Sequence, residues 1–480
     1  MLTGLAGLRC GLRRRGGKGL AHGVGMWVNR GMPPFDPSRL TPREKDELIL
    51  ALLDQVRLLQ ERAATLEARL ARHPPKTPAN SSLPPSKGPK ADRPRRPRKP
   101  RPHRPGITRR LSAEPDRIIA CHAQVCRHCG ATLAPQRQRL RRAYDHIDLP
   151  PIRPVVTRVH LFGGRCPGCR RRVCADPPAG MAPGSPFGPA IRSLVVYLHH
   201  SHAVGFERLA ALLGEVFGLA ISEGAIANLL RRSGRALVAV GERIRDRLRR
   251  AHAICCDETG ARIDGRTHWH WVFAGRDAVL HRIAPGRGRA VAQDVLGGHR
   301  PAVWVSDRYS AQQGLGAAHQ VCLAHILRDA RYAIDDGDAV FAPQLARLLA
   351  WAVRVGRRRA ELKTTTLRTY RARADRRLDR LLRVPAPTPA GRALQAQVKA
   401  WRGSYFVFLD DRAVPATNNV SERALRPSVV FRKVTHGFRS TWGADGHALV
   451  RSTIDTARLG GVRPFDAIRR ALQGCPALPA

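Results

Sequence analysis

The sequence is short of acids. It sets 37 Asp+Glu against 84 Lys+Arg, a formal net charge of +47 over 480 residues. That imbalance points to a polyanion as partner, nucleic acid first. No apolar run reaches the ~18 residues a membrane span requires, so a membrane partner is not expected. Aromatics are scarce at 5%, yet hydrophobic residues make up 43%, enough for real cores. Wholesale disorder is thereby excluded, and the length suits two to four domains. The first 30 residues hold no acid and no apolar stretch behind their arginines, so a signal peptide is not expected; a transit peptide is the lesser alternative to a flexible basic tail. Residues 1–36 read as a basic tail, with Met26 and Met32 as alternative starts. The 11 cysteines are odd in number and partly arranged as C-x-x-C. They read as a metal site in a reducing compartment, not as a disulfide framework.

What is present divides the chain into segments. Ile49, Leu52, Val56, Leu59, Ala63, Leu66 and Leu70 fall at alternating spacings of three and four, the pattern of a coiled coil over residues 37–72. A lone amphipathic helix packed on its own domain is the alternative. Residues 73–112 are a linker in which repeated prolines forbid a helix. Its acid-free half carries Arg95, Arg96, Arg98 and Lys99, suited to salt-sensitive phosphate contact. Residues 113–178 form a cysteine module. Residues 186–250 are helical, with expected helices Pro189–His202, Phe206–Phe217 and Ser222–Val240. The last pair, joined by the Gly218–Ile221 turn, has helix-turn-helix dimensions, with Arg231 and Arg232 placed to meet DNA. Equally, the pair simply packs. Strands are expected at Ala253–Cys256, Thr267–Phe273, Ala278–Ile283 and Ala302–Ser306, with a helix at Ala290–Leu296 before the last. Residues 330–405, Val420–Val430 and Gly446–Leu472 read as helical. The whole is a multidomain α/β protein.

Two ligand constellations stand out. Cys126 and Cys129, with Cys166 and Cys169, are two C-x-x-C knuckles, and four thiolates close a tetrahedral structural zinc site. The segment is too polar to hold a core alone, so the metal would supply its folding energy. Cys121, His128 and Cys174 are substitute ligands. The second constellation is acidic. Asp257 and Asp307 follow strands, and Glu422 lies on a helix entered through Thr417-Asn418-Asn419. Hard oxygen ligands of this kind bind Mg²⁺ or Mn²⁺, and two such ions clamp a phosphodiester. Bare, the three carboxylates would repel one another and raise each other's pKa. Simpler readings compete: Asn419 and Glu422 have capping-box spacing, Glu422 and Arg426 have ion-pair spacing, and the aspartates suit turns. Asp264, Asp329 and Asp445 are rival acids.

Cys256-Asp-Glu-Thr-Gly-Ala-Arg262 with Trp269-His-Trp-Val-Phe273 resembles the first catalytic segment of the insertion-sequence-66 family of DDE transposases. Ser306-Asp-Arg-Tyr-Ser-Ala311 resembles its second. Gln320-Val-Cys-Leu-Ala-His-Ile-Leu-Arg328 resembles its Cys/His/Arg segment. Thr417 to Pro427, with Arg432-Lys433 and Gly443-Ala444, resembles its third, and Asn80-Ser-Ser-Leu-Pro-Pro-Ser86 its linker. The likeness runs over roughly residues 40 to 470. It implies a ribonuclease-H-like catalytic core over 251–445, with a helical insertion at about 330–412 and a C-terminal helical segment over 446–480. The coiled coil, zinc module and helical DNA-binding region precede that core.

The resemblance makes Asp257, Asp307 and Glu422 the metal-binding triad. It implies cutting at the ends of an insertion sequence and joining of the freed 3′-hydroxyls to target DNA, with Mg²⁺ or Mn²⁺ catalytic and Zn²⁺ structural. Asn418 and Asn419 would cap the acidic helix, His325 and Arg328 would neighbour the site, and Arg432 and Lys433 would touch phosphates. His319, Cys322 and His325, each three apart, suggest a second metal site, against a Cys322 that simply packs inward. Of Trp269/Trp271 and His268/His270, one pair should face the core. The expected partners are terminal-repeat and target DNA, a second copy of the chain for synapsis, and accessory proteins of the element. The expected place is the bacterial cytoplasm, on the nucleoid. The competing functions are a non-catalytic zinc-containing DNA-binding regulator, an inactive domesticated transposase, and a tyrosine recombinase using Tyr332, Tyr370 or Tyr405.

Overall fold

The computed structural model describes residues 41–71, 74–81 and 109–475. The expected basic tail and the linker cations Arg95, Arg96, Arg98 and Lys99 lie outside the described residues. The chain divides into two units, Met1–His73 and Pro74–Ala480. In the first, helix α1 (Pro42–Ala71) begins at the proline, which suits a first turn because its missing N–H is not needed there. Its seam residues Ile49, Leu52, Val56 and Leu59 are exposed.

The second unit opens with a short clip. Asn80 is buried; its Oδ1 accepts from Thr77 N at 2.6 Å and its Nδ2 donates to Asp335 at 3.1 Å. The cysteine module follows, with one small antiparallel hairpin of β1 (Gly163–Arg165) and β2 (Arg172–Cys174). Four helices come next: α2 (Pro189–His202), α3 (Phe206–Phe217), α4 (Glu223–Ala236) and α5 (Val238–Leu248). Pro189 starts α2, left-handed Gly218 ends α3, and the Ser222 hydroxyl accepts from Ala225 N at 3.2 Å to cap α4. The single helix expected over Ser222–Val240 is instead two, broken at Leu237, which is fully buried.

A five-stranded mixed sheet is the centre of the unit. Its strands are β3 (Ala253–Ile263), β4 (Arg266–Ala274), β5 (Val279–Ala284), β6 (Val303–Ser306) and β7 (Ala318–Val321), in the order β5-β4-β3-β6-β7. β3, β4 and β5 pair antiparallel; β6 runs parallel to β3 and β7 parallel to β6. Helix α6 (Arg289–Leu296) makes the crossover before β6. β3 is longer than expected, because a polar run continues in register with β4 up to a tight turn at Asp264-Gly265. Both turn residues have positive φ, 48° and 71°, as a two-residue hairpin of matching twist requires.

Beyond the sheet lie α7 (Leu323–Asp335), α8 (Phe341–Arg357), α9 (Thr364–Leu382), α10 (Pro389–Ala400), α11 (Val407–Asp410), α12 (Asn419–Thr435), α13 (Thr441–Leu459) and α14 (Pro464–Leu472). Strand alternation sorts the sheet's apolar residues onto two faces. Cys255, Val272, Val303, Val305 and Val321 join the core built with α7 to α11. Ile254, Cys256, Trp271, Phe273 and Trp304 join the core built with α2 to α6, α13 and α14. Both Trp271 and His270 are fully buried, so the β4 alternation does not divide into one core face and one open face.

Helix α13 covers the outer edge of β5. Thr456 Oγ1 accepts from Val279 N at 2.9 Å and Ser452 Oγ from His281 N at 2.8 Å, so hydroxyls satisfy an edge that would otherwise need another strand. Beside it runs a buried polar chain. Asp455 Oδ2 meets His281 Nε2 at 3.0 Å, and His281 Nδ1 meets His270 Nε2 at 3.0 Å. His447 lies between His200, at 3.3 Å, and Ser428 Oγ, at 3.0 Å. Burial holds His200, His270 and His447 well below the ordinary imidazole value.

Candidate active site

The parallel pair β3 and β6 places the two aspartates. Ala253 pairs with Val303 and Cys255 with Val305. Continuing that register sets Asp257 level with Asp307, on neighbouring strands about 4.8 Å apart. β6 stops at Ser306 while β3 runs on beside β4, so the acids stand at the carboxyl end of β6, where β3 loses its parallel partner. Such strand ends are the usual ligand crevice of open α/β sheets. Alternation puts Asp257 on the face of Cys255, which α7 and α12 cover.

Glu422 arrives from that covering layer, in the first turn of α12. Asn418 fixes the start of the helix. It is buried, its Nδ2 donates to Cys256 O at 2.7 Å, and its backbone N donates to Cys322 Sγ at 3.1 Å. Ser421 Oγ bonds the Asn418 side-chain oxygen. The expected side-chain cap is therefore not formed: Asn418 is the N-cap, but its amide reaches across to β3 instead of the helix's own N–H groups. Asn419 is the first helical residue and exposed, not a cap. One residue thus ties the Glu422 helix to the strand just before Asp257 and to the start of α7.

Electrostatics record the convergence. Burial, and then the charges of Glu258, Asp307 and Glu422, push the Asp257 carboxyl up to about 8. Asp257 Oδ1 accepts from Glu258 N at 2.9 Å, and Asp307 Oδ1 from Tyr309 N at 2.9 Å, so both carboxylates are oriented. His325, on α7, lies within electrostatic reach of Glu422, Asp307 and Arg328; burial is the main cause lowering it. Arg328 is half-buried on the same helix.

Glu258 was not anticipated. It points to the opposite face, where Arg287 Nε donates to it at 2.8 Å and Gln312 Nε2 at 2.5 Å. The Arg287 guanidinium stacks on Tyr309 at 3.9 Å and on Trp269 at 4.6 Å. Trp269 is thereby half-buried under a cation. Adjacency to Asp257 was visible in the sequence, but the salt bridge from Arg287 depends on the tertiary fold.

The rival acids have other partners. Asp264 is the turn residue between β3 and β4, Asp329 pairs with Arg308, and Asp445 lies on α13. Cys322 is fully buried at the N-cap of α7, while His319 sits on β7 and meets Ser306 Oγ at 3.2 Å. The expected trio of His319, Cys322 and His325 does not gather. Instead the ligand atoms of Cys322, His325 and Glu422 lie within 4.8 Å of one another.

The proposed DNA contacts differ in placement. Arg231 and Arg232 are exposed on α4, and Lys433 is exposed on α12. Arg432 is not a surface cation: it is half-buried over β3, with a nitrogen 3.3 Å from Thr259 Oγ1 and its Nε buried without a partner. Burial lowers its pKa.

In the cysteine module each knuckle is a formed turn. Cys126 N donates to Ala131 O at 2.8 Å and Cys166 N to Arg171 O at 2.9 Å. Hydrogen bonds from the turn backbone, at His128 and Cys129 for one and Cys169 and Gly168 for the other, lower the Cys126 and Cys166 thiols. The structure keeps the members of each pair together but does not gather the two pairs at one point. Around them Ile118, Leu140, Val155 and Val156 are exposed, so no apolar core joins the knuckles.

Among the described residues no helix is long and apolar enough to cross a membrane. No curated protein matches the chain. A family model described as Transposase IS66 family matches residues 184–446. That span runs from just before α2 into α13, takes in Asp257, Asp307 and Glu422, and covers more than half of the chain; on this evidence the chain belongs to the IS66 family of transposases.

Proposed function

We propose that the chain is a DDE transposase that cuts the ends of its insertion sequence and joins the 3′-hydroxyls to target DNA. The observation that carries the reading is that Asp257 and Asp307 stand level at neighbouring parallel strands, with Glu422 within electrostatic reach of Asp257 from the first turn of α12. The strand order, with β3 central, β4 and β5 antiparallel on one side and β6 and β7 parallel on the other, fits a ribonuclease-H-like core. Helices α8 to α11 are the insertion before the acidic helix.

The donor set fits Mg²⁺ or Mn²⁺: all three groups are carboxylates, and the Asp257 carboxyl, raised first by burial and then by its acidic neighbours, is one that a bound cation would relieve. Two such ions, when bound, supply Lewis-acid activation of the attacking oxygen and stabilisation of the leaving oxygen. The chain's own part is positioning. Tyr309 N and Glu258 N fix the two aspartates, and Asn418 holds the Glu422 helix against β3. Hydrolysis and strand transfer differ only in whether water or a 3′-hydroxyl attacks, so one site serves both.

Cys126, Cys129, Cys166 and Cys169 would hold structural zinc. The preformed turns and lowered thiols suit thiolate ligation, and the missing apolar core leaves the metal to join the halves. The exposed seam of α1 would pair with a second copy, since synapsis needs two active sites. Arg231, Arg232, Lys433 and the linker cations Arg95, Arg96, Arg98 and Lys99 would track phosphates of terminal repeats and target DNA on the bacterial nucleoid. Accessory proteins of the same element complete the expected partners.

The test incubates purified protein with labelled duplexes from the DNA flanking its gene, a plasmid target, and Mg²⁺ or Mn²⁺. Metal-dependent joining is the expected result. Tight, salt-sensitive binding with no nicking or joining, with accessory proteins of the element supplied, would overturn the reading in favour of a regulator.

A further inference from the structure

We propose that Cys322, His325 and Glu422 form a separate site for a thiophilic or borderline divalent ion such as Zn²⁺, one that competes with the carboxylate cluster for Glu422. The proposal shares Glu422 with the reading above but does not depend on catalysis. A thiolate, an imidazole and a carboxylate make up the donor set of a three-ligand zinc site with an open fourth position, whereas Mg²⁺ avoids sulfur.

Two elements bring the ligands together. Cys322 is the N-cap of α7 and His325 lies one turn later, so both side chains lie on one face of the helix. Glu422 comes from the first turn of α12, which Asn418 holds against Cys322 through a 3.1 Å bond to Sγ. That bond makes sulfur the acceptor, the orientation a metal-bound thiolate also uses. The three ligand atoms lie within 4.8 Å of one another. A tetrahedral zinc site needs ligand separations of about 3.6 Å, a closure that side-chain rotation supplies. His325 Nδ1 is buried without a hydrogen-bond partner, so its ring has a coordination position to offer.

Binding displaces the Cys322 thiol proton to solvent and leaves His325 neutral; nothing is oxidised or reduced. With the ion in place Glu422 is held toward α7, away from Asp257 and Asp307. Zinc beyond the needs of the knuckles is therefore expected to slow joining driven by Mg²⁺.

The test uses the full chain with its knuckles zinc-loaded, then adds Co²⁺ and reads the sulfur-to-cobalt charge-transfer band and bound metal per chain. The expected result is a further equivalent with a thiolate band in wild type and in Lys399→Ala, a change at an exposed residue of α10. Both are lost in Cys322→Ser and His325→Ala. Cys322→Asp, which keeps an acceptor for Asn418 N and a ligating oxygen, should retain the bound ion but lose the band. An unchanged band in Cys322→Ser or Cys322→Asp, or no cobalt beyond the knuckles in wild type, would overturn the proposal. Joining is measured with Mg²⁺ on a portion of the same wild-type preparation kept free of added cobalt, because the bound ion is expected to slow it. A band without joining would sink the DDE reading and leave this site standing; joining without a band would do the reverse.

Discussion

The cysteine knuckles and the acidic residues both offer ligand-type side chains, but their supports are opposite. Around the knuckles the chain is extended and its apolar residues, Val155 and Val156 among them, face solvent. Beside the acids the strands are packed: β6 is buried throughout, β3 is buried over Ile254–Cys256, and Asn418 clamps α12 to β3. On the proposed reading zinc would create the order in the first region, whereas in the second packing creates a charged site that a metal ion would relieve. The buried Asp257, raised to about 8 by burial and its acidic neighbours, is the mark of the second kind.

The sharpest way to break this contrast is chelation. Structural zinc contributes about 10–16 kcal/mol in comparable modules. A strong chelator should therefore make residues 109–183 protease-sensitive. The melting of the sheet-containing region should move by no more than about 2 °C. Equal loss of both regions would show that the core leans on the module.

A smaller effect is expected at the clamp. Asn418→Ala leaves the Cys256 carbonyl without its side-chain partner inside the protein. The expected cost is about 2–3 kcal/mol, read in denaturant unfolding, with strand transfer falling alongside. Unchanged stability would mean that α12 is held by its apolar face alone.

Asp257→Asn tests the stored repulsion. A carboxyl whose folded value is raised contributes stability only in acid and loses it as pH rises toward about 8. At neutral pH without metal the amide should gain about 1–2 kcal/mol, and added Mg²⁺ should stabilise wild type but not the variant. A destabilised variant would show that the carboxyl is a structural hydrogen-bond partner and not a site held under repulsion.

The gentlest test uses pH. His200, His270 and His447 are buried neutral, so their folded values are depressed. The unfolded chain takes up protons that the folded chain refuses, and stability falls as pH drops below about 6.5, by roughly 1 kcal/mol per unit per histidine. The slope should persist with metal saturating. A flat profile between pH 6.5 and 5 would show that these rings protonate without unfolding.

Much of this contrast was legible in the sequence, for local reasons. Pro189, Gly218 and Ser222 punctuate α2 to α4 because a fixed φ, a left-handed residue and a hydroxyl cap act within one turn. The C-x-x-C pairs carry their chemistry in spacing, whereas the three acids stand out from their rivals only through the resemblance of their segments to the transposase family. What escaped depends on distant partners. β7 is only Ala-His-Gln-Val, and Gln320 can be buried there because Tyr405 O and Phe408 N satisfy its amide. The break at Leu237 falls after Gly234, a glycine that the continuing apolar pattern masks. Arg432 reads as a surface cation until α12 is laid over β3, and the pairing of Glu258 with Arg287 joins residues 29 apart that only the fold brings together. The gathering of Cys322 and His325 with Glu422 joins segments almost 100 residues apart, beyond any local pattern.

The most direct measurement is strand transfer by Asp257→Asn, Asp307→Asn and Glu422→Gln, each beside a DNA-affinity measurement on the same preparation. The account predicts that each variant binds DNA as wild type does and loses joining by at least about 10³-fold, as expected when a group acting on the transition state is removed. Joining near the wild-type rate by any one of the three would contradict it.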